Sequence, residues 1–343
     1  MKKRILIWLS SILAVVILLG YVQLVVTPKY IDNPEGALIG EYYGSTMDHD
    51  VLFIGDCEAY ETFVPTVLWE EYGIRSYVRG SAQQLVWQSY YLLEETFRYE
   101  KPKTVVFNVL ALKYGEPQNE AYNRMTLDGM KWSRSKWNAI RASMTAEESM
   151  LDYIFPLLRF HSRVTTLGRD DFRYAFGTPE VSHNGYLMQT GVVPMTEEEV
   201  WVKGLSDYTL PATSMEYLEK MRLLCEENGS ELILVKSPTN SWGFWWYDEW
   251  DAQIVSYAEE KGLAYYNLIK ESEAIGLDWS RDTYDEGIHL NVYGAEKTTR
   301  YFGALLCGSH GYTPARPIRG NDVAWDQKVD RYHADKKASE SGA

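Results

Sequence analysis

An unbroken apolar run near the N-terminus is the strongest constraint on how this chain can fold. Residues Ile5 to Val26 include no charged residue and no proline, and a helix rising about 1.5 Å per residue would carry this run across a hydrocarbon core of about 30 Å. A cleaved secretory signal is the alternative, but its apolar region is shorter, roughly 7 to 15 residues, and ends in a small-x-small site. Val25-Val26-Thr27-Pro28 provides no such site. The sequence therefore predicts a retained transmembrane anchor within residues 1–27.

The charges beside this run predict the orientation of the anchor. Three basic residues precede it at positions 2–4, whereas Lys29 alone precedes the acidic residues that follow it. Because the more basic flank of a span stays in the cytoplasm, we expect the rest of the chain on the other side. The expected localisation is the cell membrane, with a single pass and an extracytoplasmic domain.

Composition excludes several classes of function. The formal net charge is -14 and the pI is near 5.0, and basic residues cluster only at the N-terminus and in the tail, so no nucleic-acid partner is expected. The three cysteines, Cys57, Cys225 and Cys307, are an odd number and imply no disulfide framework. Cys-x-x-Cys and His-x-x-x-His are both absent, and neither a metal nor a cofactor is expected.

After a short stalk over residues 28–49, apolar runs typical of buried strands alternate with helix-like segments. The predicted strands are 50–54, 74–78, 104–110, 232–235 and 264–268, and the predicted helices are 63–72, 83–99, 214–228, 247–261 and 293–306. Strands separated by helices predict a parallel sheet covered on both faces, in one α/β domain over residues 50–312. The stretch 113–211 interrupts the alternation as a helical insertion, and the charged stretch 313–343 is expected to be an irregular to disordered tail.

Reactive side chains follow several of the predicted strands. In doubly wound sheets ligands sit beyond the carboxyl ends of the strands, and the residues at those ends include Gly55-Asp56-Cys57, Gly80, Asn108 and the segment Asp285-Glu286-Gly287-Ile288-His289. Together they offer a thiol, an imidazole to deprotonate it, an adjacent acid, and donors for an oxyanion. Singly, each has a structural explanation, since buried cysteines and lone histidines are common. A helix N-terminus would lower the thiol pKa, whereas Asp56 and Glu58 would raise it.

This order of residues resembles the SGNH/GDSL hydrolase superfamily. The likeness covers residues 50–307. Within the superfamily, the chain is most similar to membrane-anchored members associated with cell-envelope acyl transfer, which include proteins of teichoic-acid D-alanylation and polysaccharide O-acetylation. It implies a flavodoxin-like three-layer α/β/α fold. It also implies that Cys57 is the nucleophile, His289 the base, and Gly80 and Asn108 the oxyanion donors.

Two departures from the superfamily pattern keep alternatives open. The superfamily has serine where this chain has Cys57, and its anchored members often have histidine where Glu58 follows. The superfamily also has aspartate three residues before the catalytic histidine. Glu286 fits that spacing, whereas Asp285 fits the residue type, and either carboxylate could orient His289.

Aromatic residues crowd the segment after the fourth predicted strand. Trp242, Trp245 and Trp246 are the candidates for stacking on a sugar or an acyl chain. Plain helix packing and contact with the bilayer interface are the alternatives.

The sequence thus predicts extracytoplasmic acyl transfer or ester hydrolysis on a cell-envelope polymer by a Cys-His-acid site. The expected partners are the membrane, an envelope glycopolymer or acyl donor, and a multispan acyltransferase. The alternative is a catalytically degenerate relative that binds envelope polysaccharide or partners such an acyltransferase.

Overall fold

The structure is a computed structural model that describes residues 2–195, 204–240, 246–314, 320 and 322–342. It begins with helix α1, Lys2–Val26, whose side chains are exposed over most of its length. In the described part of the chain this is the one helix long and apolar enough to cross a membrane, with a mean hydropathy of 2.6. The predicted N-terminal apolar helix is therefore present as a single continuous element.

Five parallel strands form the centre of the domain. They are β1 Val51–Gly55, β2 Ser76–Gly80, β3 Thr104–Asn108, β4 Glu231–Lys236 and β5 Ala264–Asn267. Their order across the sheet is β2-β1-β3-β4-β5, and every neighbouring pair is parallel. The chain reverses its direction of travel across the sheet between β1 and β3, and such a switch point is where doubly wound sheets bind ligands. The predicted α/β class with a parallel sheet is confirmed.

Fourteen further α-helices surround the sheet in the described residues. They are α2 Leu38–Glu41, α3 Cys57–Thr62, α4 Pro65–Tyr72, α5 Val86–Thr96, α6 Glu120–Leu127, α7 Arg134–Ser143, α8 Met150–Ile154, α9 Pro156–Phe160, α10 Arg169–Arg173, α11 Ala212–Asn228, α12 Asp248–Lys261, α13 Ser272–Ile275, α14 Val292–Ser309 and α15 Val323–Ser341.

Both faces of the sheet are buried, which is why its strands are continuous apolar runs. Alternate residues of β1 point to opposite faces: Leu52 and Ile54 join the core beneath α5 and α11, whereas Val51 and Phe53 join the core beneath α3, α4 and α14. Phe53 stacks on Phe63, with ring centroids 4.2 Å apart. The helices therefore lie in two layers, one on each side of the sheet.

The segment expected to be a stalk packs against the domain instead. Leu38, Ile39 and Tyr42 are fully buried, and the Tyr42 hydroxyl donates to Glu100 Oε1 at 2.6 Å. The His49 backbone N–H donates to the other oxygen of Glu100 at 2.8 Å. The prediction of a stalk over residues 28–49 is wrong, because apolar residues three to four positions apart give this segment a face that is buried on the domain.

The insertion between β3 and β4 is helical, as predicted, and it contacts the anchor. The Leu157 backbone N–H donates to Gln23 Oε1 at 2.7 Å, and Arg163 Nη1 donates to the Val26 carbonyl at 2.6 Å. The Tyr21 ring lies against Phe176, with centroids 5.9 Å apart. The end of α1 is thus held by helices of the insertion.

Most of the expected tail is an ordered helix rather than an irregular segment. Trp325, Val329 and Tyr332 are buried on one face of α15, at the i, i+4, i+7 spacing of a helix stripe. Trp325 packs against Trp69 of α4, with ring centroids 5.7 Å apart. The prediction of disorder is wrong for Val323–Ser341, since three well-spaced apolar residues hold a helix whose average composition is charged.

Loss of the Trp325 side chain should therefore destabilise the whole domain. Because Trp325 is 1% exposed, we expect Trp325→Ala to lower the free energy of unfolding by about 3–5 kcal/mol, the usual cost of truncating a buried aromatic residue. Denaturant titration of the full-length protein in detergent measures this change. Val323→Ala is the control, since Val323 is 66% exposed on the same helix. Equal midpoints for the two variants would show that α15 does not contribute to the core.

Candidate active site

Cys57 lies at the carboxyl edge of the sheet, two residues after the end of strand β1. The strand ends at Gly55, Asp56 caps helix α3 by accepting the Glu58 backbone N–H at 3.2 Å, and Cys57 is the first helical residue. A side chain at Gly80 would lie 2.9 Å from the Gly55 carbonyl oxygen. Gly80 thus permits the close approach of β2 to β1, which is a structural reason for the glycine at this position.

His289 precedes α14 and is held by Asp285. Its Nδ1 lies 2.7 Å from Asp285 Oδ2, and its backbone N–H donates to Asp285 Oδ1 at 2.8 Å. Glu286 has a positive φ of 61°, and its backbone N–H donates to Val193. Of the two carboxylates considered from the sequence, Asp285 is the one that contacts the imidazole.

Glu61 and Tyr284 also contact His289, and neither was predicted from the sequence. Glu61 is buried on α3, and its Oε2 lies 3.4 Å from His289 Nδ1. Its other oxygen accepts the Tyr284 hydroxyl at 2.8 Å, and the Tyr284 ring is stacked on the imidazole with centroids 6.1 Å apart. Glu61 follows Cys57 by four positions, so the two share one face of α3. That i, i+4 spacing is the signal that could have identified Glu61.

The carboxylates around His289 set its protonation state. Burial alone would lower the pKa of the imidazole, but the hydrogen bond that it donates to Asp285 and the charges of Glu61 and Asp285 raise it to about 9. Burial raises the pKa of Glu61 to about 7, although His289 opposes that rise. At neutral pH the imidazole is therefore a cation.

The thiol of Cys57 is held in its protonated form. Burial raises its pKa well above the usual value, and the negative charges of Asp56, Glu61 and Glu58 add to this effect. Cys57 is 8% exposed. Burial and the acidic neighbours together thus outweigh the effect of the helix N-terminus on the pKa of the thiol.

A buried ion pair lies beside the thiol. Lys236 Nζ, at the end of β4, contacts the two carboxylate oxygens of Glu58 at 2.6 and 2.8 Å. Asn108 Nδ2, at the end of β3, donates to Ser237 Oγ at 2.8 Å and to Glu58 Oε2 at 3.3 Å. The expected oxyanion donor Asn108 therefore uses its amide N–H groups to hold Glu58 and Ser237 in this structure.

The aromatic segment contributes packing where it is described. Trp246 is 6% exposed, its Nε1 donates to Asp251 Oδ1 at 3.3 Å, and its ring contacts Trp250. Trp242 and Trp245 lie outside the described residues. Trp246 therefore belongs to the core rather than to an open binding wall.

The side chains that could bind a metal ion or form a disulfide are the next feature of the site. Within residues 2–195, 204–240, 246–314 and the described tail, no group of three or more His, Cys, Asp or Glu side chains is placed to hold a metal ion, and the three cysteines are unlinked.

No family model matches this chain, and no curated protein matches its sequence.

Removal of Asp285 should lower the pKa of His289. We expect Asp285→Asn to bring it down from about 9 by at least about 1, because a contacting carboxylate favours the cation by that amount or more. NMR titration of the full-length protein with isotope-labelled histidine side chains measures the change. Glu286→Gln is the matched control, one position along the chain, and it should leave the titration unchanged. An equal fall in both variants would contradict the assignment of Asp285.

The ion pair of Glu58 and Lys236 should show strong coupling. Both side chains are at most 1% exposed, so removal of either charge leaves the other buried and uncompensated, at a cost of about 3–5 kcal/mol. We expect Glu58→Gln and Lys236→Met each to cost this much, and the double variant to cost far less than their sum. Denaturant titration of the four proteins measures the coupling.

An exposed pair on α11 is the control for this cycle. Lys220 and Glu216 are 42% and 64% exposed, and the corresponding cycle should give a coupling below about 1 kcal/mol. Additive costs at Glu58 and Lys236 would mean that the pair does not act as a unit.

Proposed function

We propose that this chain is a membrane-anchored enzyme that transfers or hydrolyses an acyl group on a cell-envelope polymer outside the cytoplasm. Cys57 is the nucleophile, His289 the base and Asp285 the group that orients the base. The observation that carries the proposal is the hydrogen-bonded pair of His289 and Asp285, which is joined through Glu61 to the helix that begins with Cys57.

The sheet supports a fold of the SGNH/GDSL type. Its order, β2-β1-β3-β4-β5, is that of flavodoxin-like sheets. Cys57, Gly80 and Asn108 follow or end β1, β2 and β3, and His289 precedes the last helix that covers the sheet. This is the order of motifs that the superfamily resemblance implies.

The proposed reaction takes place in two balanced steps. Neutral His289 accepts the thiol proton as Cys57 Sγ attacks the acyl carbonyl, and the bond to the leaving alcohol or thiol breaks as His289 returns the proton to it. A polymer hydroxyl or water then gives its proton to His289 and attacks the thioester. The acyl group leaves on the acceptor, and Cys57 regains its proton.

The protonation states predict how the rate depends on pH. The pKa of His289 is about 9 and that of Cys57 is higher than usual, so at neutral pH both groups carry protons and the imidazole cannot act as a base. Because the neutral imidazole is formed as pH rises through about 9, we expect the acylation rate to rise with pH up to that value.

The test is hydrolysis of p-nitrophenyl acetate by the full-length protein in detergent. We expect Cys57→Ala to reduce the rate at least about 1,000-fold, since loss of a nucleophile removes the covalent route, and His289→Ala to reduce it about 100-fold or more. Cys307→Ala is the control, because Cys307 is an unlinked thiol that is more exposed than Cys57. Mass spectrometry of the intact protein should detect an acetyl adduct on Cys57. Full turnover by Cys57→Ala, or a rate that is flat from pH 7 to 9, would overturn the proposal.

A second function is favoured by one specific observation. The raised pKa of Cys57 and its acidic neighbours suit a protein that binds an envelope polysaccharide, or partners a multispan acyltransferase, without covalent chemistry. Labelling with a thiol-reactive acyl analogue discriminates the two functions. Labelling of Cys57 that is unchanged in His289→Ala would favour the binding function, whereas dependence on His289 supports catalysis.

A further inference from the structure

A cavity of about 920 Å³ lies where the end of α1 meets the domain. Its walls include Gln23 and Leu24 from α1, Tyr43 from the segment after the anchor, Trp132 from the insertion and Lys328 from α15. None of the residues of the candidate active site lines it. A volume of this size matches the pockets that bind small molecules.

Four lysines line this cavity without a carboxylate partner. Among the described residues, no acidic oxygen lies within salt-bridge distance of Lys29, Lys131, Lys136 or Lys328. Lys29 Nζ donates to the Leu24 carbonyl at 2.7 Å, and Lys136 Nζ donates to the Met130 carbonyl at 2.9 Å. Burial lowers the pKa of Lys29 and of Lys136 to about 8, although nearby acids oppose this. A bound anion would favour the charged form of these lysines.

Aromatic rings contact three of the lysines, and Lys328 Nζ lies 4.4 Å from the centroid of Trp325. Lys131 Nζ lies 4.4 Å from the centroid of Tyr43, and Lys136 Nζ lies 4.7 Å from the centroid of Trp132. Such contacts order a cation without neutralising its charge.

The acidic residues in the walls contact other groups through at least one oxygen. Asp128 Oδ1 pairs with Arg124 at 3.4 Å, whereas its buried Oδ2 has no hydrogen-bond partner among the described residues, and Glu180 pairs with Arg331. Glu41 accepts the backbone N–H groups of residues 181 and 182 at 3.2 and 3.3 Å, and burial raises its pKa to about 7. The four lysines outnumber the three acids of the lining, so the balance of charge in the cavity walls is positive.

The surroundings of the cavity point to the membrane as the source of the anion. Helices α8 to α10 and the turn between them contact or adjoin the end of α1, and they expose large apolar side chains among polar ones such as Arg159 and Arg173. The exposed large apolar residues of this region are Leu151, Phe155, Leu158, Val164, Phe172 and Phe176, which are 46–83% exposed. An exposed apolar surface of this kind beside an apolar helix suits insertion into the interface of a bilayer.

We propose that this cavity binds the phosphate-bearing headgroup of an anionic membrane lipid. The lysines bind the phosphate, the tyrosine and tryptophan rings contact the glycerol region, and the acyl chains lie beside α1. This binding does not depend on the chemistry of Cys57, so it can be tested whatever the outcome at that residue.

The test is native mass spectrometry of the full-length protein in a neutral detergent. We expect a short-chain phosphatidylglycerol to bind at least tenfold more tightly than phosphatidylcholine of the same chain length. The variant Lys131→Gln/Lys328→Gln should lose at least tenfold in affinity for phosphatidylglycerol, and Lys131→Arg/Lys328→Arg should retain it. Lys101→Gln/Lys337→Gln is the matched control, since it removes two positive charges at exposed positions outside the cavity.

Glycerol phosphate distinguishes a lipid from a soluble phosphate. We expect it to bind at least tenfold more weakly than phosphatidylglycerol, because it lacks the chains that lie beside α1. Equal affinity for glycerol phosphate would overturn the assignment to a lipid. Equal affinity of the Lys131→Gln/Lys328→Gln variant and the control variant for phosphatidylglycerol would overturn the site itself.

Discussion

The ion pair of Lys236 and Glu58 joins the end of β4 to the helix that begins with Cys57. Asn108, at the end of β3, binds the same carboxylate, so three neighbouring elements of the sheet edge meet at Glu58. Two buried charges are costly to separate once they are out of water. This contact, together with the apolar packing of α3 in the core, fixes the positions of Cys57 and Glu61. Glu58, the residue after Cys57, thus binds helix α3 to the sheet.

That arrangement gives the thiol an acidic environment. A helix N-terminus ordinarily stabilises a thiolate, but Asp56, Glu58 and Glu61 lie close enough to raise the pKa of Cys57 together with burial. Lys236 does not lower the pKa of Cys57 back to its usual value, because its ammonium group is paired with Glu58. Two of these acids, Glu61 and Glu58, also favour the imidazolium of His289, together with Asp285. At neutral pH both the thiol and the imidazole are therefore protonated. A ligand that neutralised one of the two shared acids would lower the pKa of both groups.

The sequence predicted what depends on local pattern and missed what depends on distant contacts. Each strand is an apolar run bounded by turn residues, so the sheet and the residues at its carboxyl edge could be located in advance. Strand β2 begins two residues later than expected, because Gly73 ends α4 in a left-handed conformation and Ile74 still belongs to the turn. The choice between Asp285 and Glu286 could not be made from spacing, since it depends on the positive φ at Glu286 and Gly287 that turns the loop back toward His289.

Composition was misleading at the two ends of the domain. Residues 28–49 and 323–341 are polar on average, yet each carries a few apolar side chains that reach the core, such as Tyr42 and Trp325. Contacts with Glu100 and Trp69 decide their structure, and neither partner is close to them in sequence. Such helices are held by tertiary packing rather than by propensity.

The packing of residues 28–49 also changes what the anchor does. As a free tether of 22 residues this segment could extend about 75 Å, and the carboxyl edge of the sheet could then lie anywhere within that reach of α1. Folded onto the domain, and with the insertion bound to Gln23 and Val26, it instead fixes the domain to the end of α1. The edge that carries Cys57 and His289 then has one set position relative to the apolar helix. A ligand of that edge must therefore come to this position, because the edge cannot swing out to meet it.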